Sequence, residues 1–321
     1  MVKRQFDYEQ QFQQFQIKLN ELKDLAEMTN IDLSDQIKLI EDKMNNLRQE
    51  KYKNLTPWEK ILLVRNPERP TTRDYIEFLF DEWIELHGDR YYSDDLAVFG
   101  GIGFFEGQPV TFLGHQRGKN TNDNIKHNFG MPHPEGYRKV ERLLLQAEKF
   151  NRPVITVVDT QGADPGIGSE ERGQGWAISR VLMTLSSLRV PIISVVTGEG
   201  GSGGALALAV ADRLLMLSNA VFSVVSAEGC ASILWKDTQR VEEMAEALKL
   251  TADDLYKLGI INEIVEEPLG GSQADFEATA QNLKNRIHLI MQELVKKDRK
   301  ELVKERYQKL RAIGILNDGI L

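Results

Sequence analysis

Thr197-Gly-Glu-Gly-Gly-Ser-Gly-Gly-Ala-Leu-Ala-Leu-Ala-Val210 decides how the chain is read. An apolar run, Pro191-Ile-Ile-Ser-Val-Val196, leads into it, and the small apolar residues Ala205 to Val210 follow the glycines. The pattern predicts a strand, a glycine corner and a buried helix. Glycine lets the backbone turn freely and lets another group approach where a Cβ would block it. The first N–H groups of a helix lack partners within the helix and attract anions. Such a corner suits a phosphate, a carboxylate or a developing oxyanion.

The same unit occurs on either side. Pro153 to Val158, Pro191 to Val196 and Ala220 to Val225 each read as a strand, with Gly162, Gly200 and Gly229 each nine residues after the start. Helical stretches follow at 169–188, 202–210 and 230–236. Three strand–glycine–helix units in succession imply stacked crossovers with their corners on one side. Upstream, 98–105 and 109–115 read as a hairpin turning at Glu106-Gly107-Gln108, and 135–150 as a helix with Val140, Leu143, Leu144 and Ala147 on one face. Residues 71–86 read as a single helix stopped near Gly88.

The ends are helical. Phe12, Phe15, Leu19 and Leu22 form one stripe and Ile37, Ile40, Met44 and Leu47 another, with Asp32 or Ser34 between them as cap. These stripes pack either on the chain's own core or on another subunit. A helix–strand pair spans 252–265, and a charged helical stretch runs from Asp275 to Arg311. The expected division is a helical hairpin over 1–55, a central domain over 56–275 and a helical segment over 276–321.

Composition narrows the partners. The 321 residues are 41% hydrophobic and 27% charged, as in ordinary globular chains, and the net charge of −8 argues against nucleic-acid binding. A single cysteine, Cys230, excludes an intrachain disulfide and a cysteine-rich zinc site. Neither a signal-like apolar core near Met1 nor a run of membrane-spanning length is present. A cytoplasmic protein without a membrane is expected.

The corners offer donors but few acids or bases. Glu199 precedes Gly200-Gly201, and Glu228 precedes Gly229. As a pair they could act as general acid and base in a hydratase. The favoured reading is that each braces its corner by hydrogen bonds or an ion pair, with Arg172 as a candidate partner. A Walker loop is excluded because no Lys-Ser/Thr follows the glycines. The dinucleotide fingerprint is weak, since Gly198, Gly200 and Gly203 lie within a longer glycine run. His115, His127 and His133 match no metal-ligand spacing. Ser202 resembles a nucleophile elbow only loosely, with no histidine after it until His288.

Asn128-Phe-Gly-Met-Pro-His-Pro-Glu-Gly-Tyr-Arg-Lys139, Glu170-Glu-Arg-Gly-Gln174, Gly198-Glu-Gly-Gly-Ser-Gly-Gly-Ala205 and Glu228-Gly-Cys-Ala-Ser-Ile-Leu-Trp-Lys236 together resemble the alpha subunits of bacterial acetyl-CoA carboxylase carboxyltransferase. Leu79-Phe-Asp-Glu82, Gly88-Asp-Arg90 and Glu267-Pro-Leu-Gly-Gly271 extend the resemblance over nearly the whole chain. It implies an α/β, crotonase-like fold of stacked ββα units (the ClpP/crotonase superhelix), with an N-terminal helical hairpin and a C-terminal helix. It also implies carboxyl transfer from carboxybiotin on a carrier protein to acetyl-CoA, giving malonyl-CoA for fatty-acid synthesis. No covalent cofactor is implied, and zinc is expected only on a beta subunit. The implied partners are that beta subunit, in an α2β2 assembly, the biotin carboxyl carrier protein and biotin carboxylase.

By this resemblance Gly200 and Gly201 offer backbone amides to the carboxybiotin side, and Gly162 and Ala163 line the same cleft. Arg172, Lys119 and Arg117 are expected as cationic groups near it, with Glu199 and Glu228 also at the substrate. Four positions depart from the family pattern: Gln161, Asp164 in place of Tyr, Gly175 in place of Ser, and Ala227 in place of Pro. An aspartate facing an anionic carboxybiotin would repel it, as in a catalytically weak paralogue kept as a structural or regulatory partner. A crotonase-type hydratase or thioesterase is the other reading.

Overall fold

The computed structural model describes residues 7–29 and 32–314. The chain divides into two compact units, Met1–Leu55 and Thr56–Leu321. In the first, α1 (Asp7–Thr29) packs against α2 (Ser34–Lys53). Leu19 and Met44 are buried, and Phe15, Leu22, Ile37, Ile40 and Leu47 are half-buried, as the two stripes require. The Phe12 side chain lies outside the described ones. Leu33, rather than Asp32 or Ser34, occupies the cap position of α2, while the Asp32 carboxylate accepts from the Ser34 N–H at 3.0 Å.

The second unit is built on one sheet. After α3 (Pro57–Val64) and α4 (Thr72–Leu79) come β1 (Trp83–Glu85), β2 (Val98–Phe105) and β3 (Gln108–His115). Next are α5 (Thr121–Lys126), α6 (Pro134–Lys149), β4 (Val154–Thr160), α7 (Ile167–Glu171), α8 (Gln174–Ser187), β5 (Ile192–Gly201) and α9 (Ser202–Ala209). The chain continues through β6 (Arg213–Leu217), β7 (Val221–Ser223), α10 (Ala227–Leu234), α11 (Val241–Ala247), α12 (Ala252–Lys257) and β8 (Glu263–Val265). It closes with α13 (Phe276–Leu294) and α14 (Arg299–Ala312). The sheet order is β1-β2-β3-β4-β5-β6-β8, with β7 also paired to β5. The β1–β2 and β2–β3 pairs are antiparallel, and the rest are parallel.

Strands β4 and β5 are buried almost throughout, which explains their unbroken apolar runs: a parallel strand covered on both faces has no polar side to alternate with. Strand β5 is the long member. It pairs with β6 over Ile193–Val196 and with β7 over Glu199–Gly201, so it carries the ladder past the end of β6. Gly200 and Gly201 are therefore the last residues of the strand and not a corner beyond it. The small residues of α9 let that helix lie close on β4 and β5, with Ala205, Ala207 and Leu208 fully buried.

Several expected elements are cut differently. The stretch 71–86 splits into α4 and the strand β1, because Trp83 pairs with Gly103 at the sheet edge. The helix expected over 169–188 breaks at Gly173, which takes a left-handed φ of 82°. Gly229 sits in the first turn of α10 beneath the Ser226 cap, so the third unit has no glycine corner. Strand β6, absent from the repeat reading, supplies the neighbour that β5 and β8 need. The charged stretch from Asp275 is two helices, each capped by an aspartate, Asp275 and Asp298.

Helix α14 is locked by one side chain. The Arg306 guanidinium, fully buried, donates to both carboxylate oxygens of Asp212 at 2.9 Å and to the carbonyls of Leu185 (2.6 Å), Leu188 (2.7 Å) and Val190 (3.2 Å). Removing one partner of a buried pair leaves an uncompensated charge, at a cost of about 3–5 kcal/mol. Arg306→Met should lower the unfolding free energy in urea by that amount; a loss under about 1 kcal/mol would show that the lock contributes little.

Candidate active site

The site is built where β5 runs out into α9. Gly201 passes so near the preceding turn that a Cβ there would lie 2.0 Å from the Gln161 carbonyl oxygen. A Cβ on Gly204 would lie 2.5 Å from the Ala163 nitrogen and 2.9 Å from the Tyr137 hydroxyl. The glycines are thus required by backbone-to-backbone contact. Between them Ser202 takes a φ of 52°, in the left-handed region that disfavours a side chain, at the strand-to-helix turn. Gln161, Glu199, Gly200 and Gly201 line a small cleft whose other walls are Ile61, Arg65, Val221, Ser223 and Val225 to Ala227.

The expected corner at Gly162 and Ala163 abuts Gly201 and Gly204, which brings the two glycine turns together. Its own hydrogen bonds are local: the Gly162 N–H donates to the Thr160 hydroxyl oxygen at 3.1 Å, and that hydroxyl donates to the Gly162 carbonyl at 2.7 Å. Asp164 is half-buried and engaged on several sides. Its carboxylate accepts from the Ser169 hydroxyl (2.6 Å), the Asn128 amide (3.0 Å) and the Gly166 N–H (3.1 Å). Burial pushes this carboxyl up, but those hydrogen bonds outweigh it and hold it below the ordinary value.

Glu199 and Glu228 meet at a residue that the sequence reading missed. The Arg65 guanidinium, just past α3, forks onto Glu199 with bonds of 2.6 and 2.9 Å and donates to Glu228 at 2.6 Å. Burial disfavours the charged guanidinium, but Glu199 and then Glu228 more than compensate and hold it above its ordinary value. Arg65 stands some 130 residues before Glu199 in a turn marked only by Asn66-Pro67, so no local spacing announces it.

The expected cations are distributed differently. Arg172 is not the brace of either glutamate: it forks onto Glu135 at 2.9 and 3.1 Å and lies over the Tyr92 ring. Lys119 donates to Asp74 at 2.6 Å, its own side chain largely exposed. Arg117 does belong to the site's frame. It pairs with Asp159 of β4 at 2.8 Å and donates to the Val64 carbonyl at 3.2 Å, while Asp159 accepts from the Glu199 N–H at 3.0 Å.

With this geometry in place, likeness to known proteins can be weighed. A family model described as acetyl co-enzyme A carboxylase carboxyltransferase-like matches residues 5–314. The chain belongs to that family. Among its relatives, the acetyl-CoA carboxylase carboxyl transferase alpha subunit of Syntrophomonas wolfei is 63% identical, over 98% of this chain and 99% of its own length. The corresponding subunit of Staphylococcus saprophyticus is 50% identical over 96% of this chain and 98% of its own.

Solved structures agree on the fold. A transcarboxylase 12S chain superposes with a TM-score of 0.59 at 18% identity, covering 73% of this chain and 44% of that one. A Pseudomonas malonate decarboxylase chain gives 0.59 at 16% identity, covering 72% and 90%. The fold is therefore crotonase-like, and the family's reaction class, carboxyl transfer, is supported over the hydratase and weak-paralogue readings. Among the described residues no cluster of metal-ligating side chains occurs, and no helix is long and apolar enough to cross a membrane.

Two measurements probe this geometry. Gly201→Ala must push the Gln161 backbone away, which should cost about 1–3 kcal/mol of stability in a denaturant titration. Gly203→Ala meets nothing within 4 Å, so it should be neutral or stabilise by up to about 1 kcal/mol. Equal effects would refute the close-contact account. The second concerns His133, which Asp95 holds above its ordinary value against the opposing effect of burial, with Asp164 adding to the rise. Its contribution to stability is full below the unfolded value and lost as pH rises through the folded one. Asp164→Asn should lower the His133 pKa seen by NMR titration; an unchanged value would place Asp164 outside its field.

Proposed function

We propose that this chain is the alpha component of a two-subunit carboxyltransferase that moves a carboxyl group from carboxybiotin to acetyl-CoA, giving malonyl-CoA. The observation that carries the reading is the intact glycine floor at Gly200 and Gly201, set against the Gly162–Ala163 turn, in a chain 63% identical to a carboxyl transferase alpha subunit. Carboxyl transfer leaves negative charge on the ureido oxygen of biotin and passes through an acetyl-CoA enolate. Fixed amide donors stabilise such charge without reorganising, by about 3–4 kcal/mol each.

In this proposal the amides of Gly200 and Gly201 serve the carboxybiotin side, and Gly162 and Ala163 shape the cleft wall. Arg117 steadies the floor through Asp159. Glu199 and Glu228 border the cleft as an ion-paired frame, and Arg172 and Lys119 stand as outer cations. The biotin nitrogen itself can take up the proton lost by the acyl-CoA, so no acid–base dyad of this chain is needed. A beta subunit completing an α2β2 assembly would bring most CoA contacts and the zinc. A biotin carboxyl carrier protein and a biotin carboxylase would supply the carboxybiotin, all in the cytoplasm.

Purification with and without a beta subunit tests the proposal. Malonyl-CoA formation only when both chains are present is the expected result, with Gly201→Ala, which displaces the amide without removing it, lowering kcat about 10²-fold. Enoyl-CoA hydration or thioester cleavage by the isolated chain would overturn it in favour of the hydratase or thioesterase reading. An inert complex that Asp164→Tyr restores would overturn it in favour of the weak paralogue.

A further inference from the structure

Arg65 is absent from every motif that led to the site, yet it occupies the site's central electrostatic position. Its guanidinium joins two elements that share no ladder. Glu199 belongs to β5 and immediately precedes the glycine floor, whereas Glu228 belongs to the first turn of α10, whose approach, Val225 to Ala227, walls the same cleft. The connection also closes on itself. Arg65 holds the Glu199 side chain, the Glu199 N–H is held by Asp159, Asp159 pairs with Arg117, and Arg117 donates to the carbonyl of Val64, the residue before Arg65. The ring links α3, the segment after β3, and strands β4 and β5.

We propose that Arg65 is a positioning residue for carboxyl transfer, setting the distance between the glycine floor and α10 and offsetting one of the two negative charges carried by Glu199 in the cleft wall and Glu228 beside it. This rests on the carboxyltransferase reading above. Two consequences follow from the bonding. A planar fork with fixed donor directions sets an angle as well as a charge, so lysine cannot replace it. Without Arg65, the net charge of the trio would double from one negative to two, facing an anionic carboxyl donor. Glu199, with a side chain only 11% exposed, would be the worse case.

The test combines kinetics of the full alpha–beta complex with hydrogen exchange on the full-length chain. Arg65→Met should lower kcat about 10²-fold, the loss expected for a misplacement of about 1 Å, and Arg65→Lys should recover little of it. Replacing the charges as well, in Arg65→Met/Glu199→Gln/Glu228→Gln, should lower the KM for the carboxyl donor relative to Arg65→Met while kcat stays depressed. A purely structural role would not separate the two constants. By exchange, Arg65→Met should deprotect 226–231 and 199–203 while α6 and α13 keep wild-type protection.

A wild-type kcat for Arg65→Met, or equal loss of protection across the whole chain with no KM recovery, would overturn the proposal. If Arg65→Met does not fold, Glu228→Ala cuts one arm of the clamp and must show the same local deprotection around α10; its absence refutes the clamp. A wild-type complex with no carboxyl transfer would sink the functional reading alone, because the exchange measurements still decide whether Arg65 joins floor and helix.

Discussion

The site depends on two backbones passing each other without room for a side chain. At Gly201 the end of β5 touches the carbonyl of Gln161, and at Gly204 the start of α9 touches the turn through Ala163. That contact fixes where β4 and β5 end relative to each other. Since α9 can lie on both strands only if its residues are small, it also fixes the depth of the helix. The cost is borne locally at Ser202, held in a left-handed conformation. What is fixed at this place is backbone geometry, with side chains excluded from the contact.

Around that contact the polar groups are arranged to hold backbone. Asp159 anchors the N–H of Glu199, Arg117 anchors Asp159, and the buried Arg69 donates twice to the Thr197 carbonyl, at 2.6 and 3.0 Å, while pairing with Glu267. Strand β5 is therefore gripped at Thr197 and Glu199, directly before the glycines. Buried charge at these positions is weak evidence for stability in itself. Its value lies in fixing geometry, because each pair is formed across elements far apart in sequence.

How much of this was legible follows from the range of the signals. The buried strands read at 153–158 and 191–196, the hairpin of 98–115 and the helix read at 135–150 were legible because their patterns are local: apolar runs, a turn signal, and a 3.6-residue stripe. The failures came where tertiary pairing overrode local pattern. Trp83 to Glu85 continue a helical-looking stretch yet pair with β2, and β6 is a five-residue strand set close behind the small apolar residues of α9. In the site, the glycines announced themselves, while the partners of the charges did not. Arg172 sits nearer to Glu199 in sequence than Arg65 does, yet Glu135 holds it. Ion pairs between distant segments leave no spacing to read.

Arg306 bears on the order in which this molecule can be completed. Its partners lie 94–121 residues upstream: Leu185 in the last turn of α8, Leu188 and Val190 in the link to β5, and Asp212 directly before β6. During synthesis those carbonyls and that carboxylate lack this partner until the chain has been made past Arg306. Closure of so long a loop is slow relative to local structure. A nascent chain arrested before α14 would therefore lack the guanidinium that ties the end of α8 to Asp212.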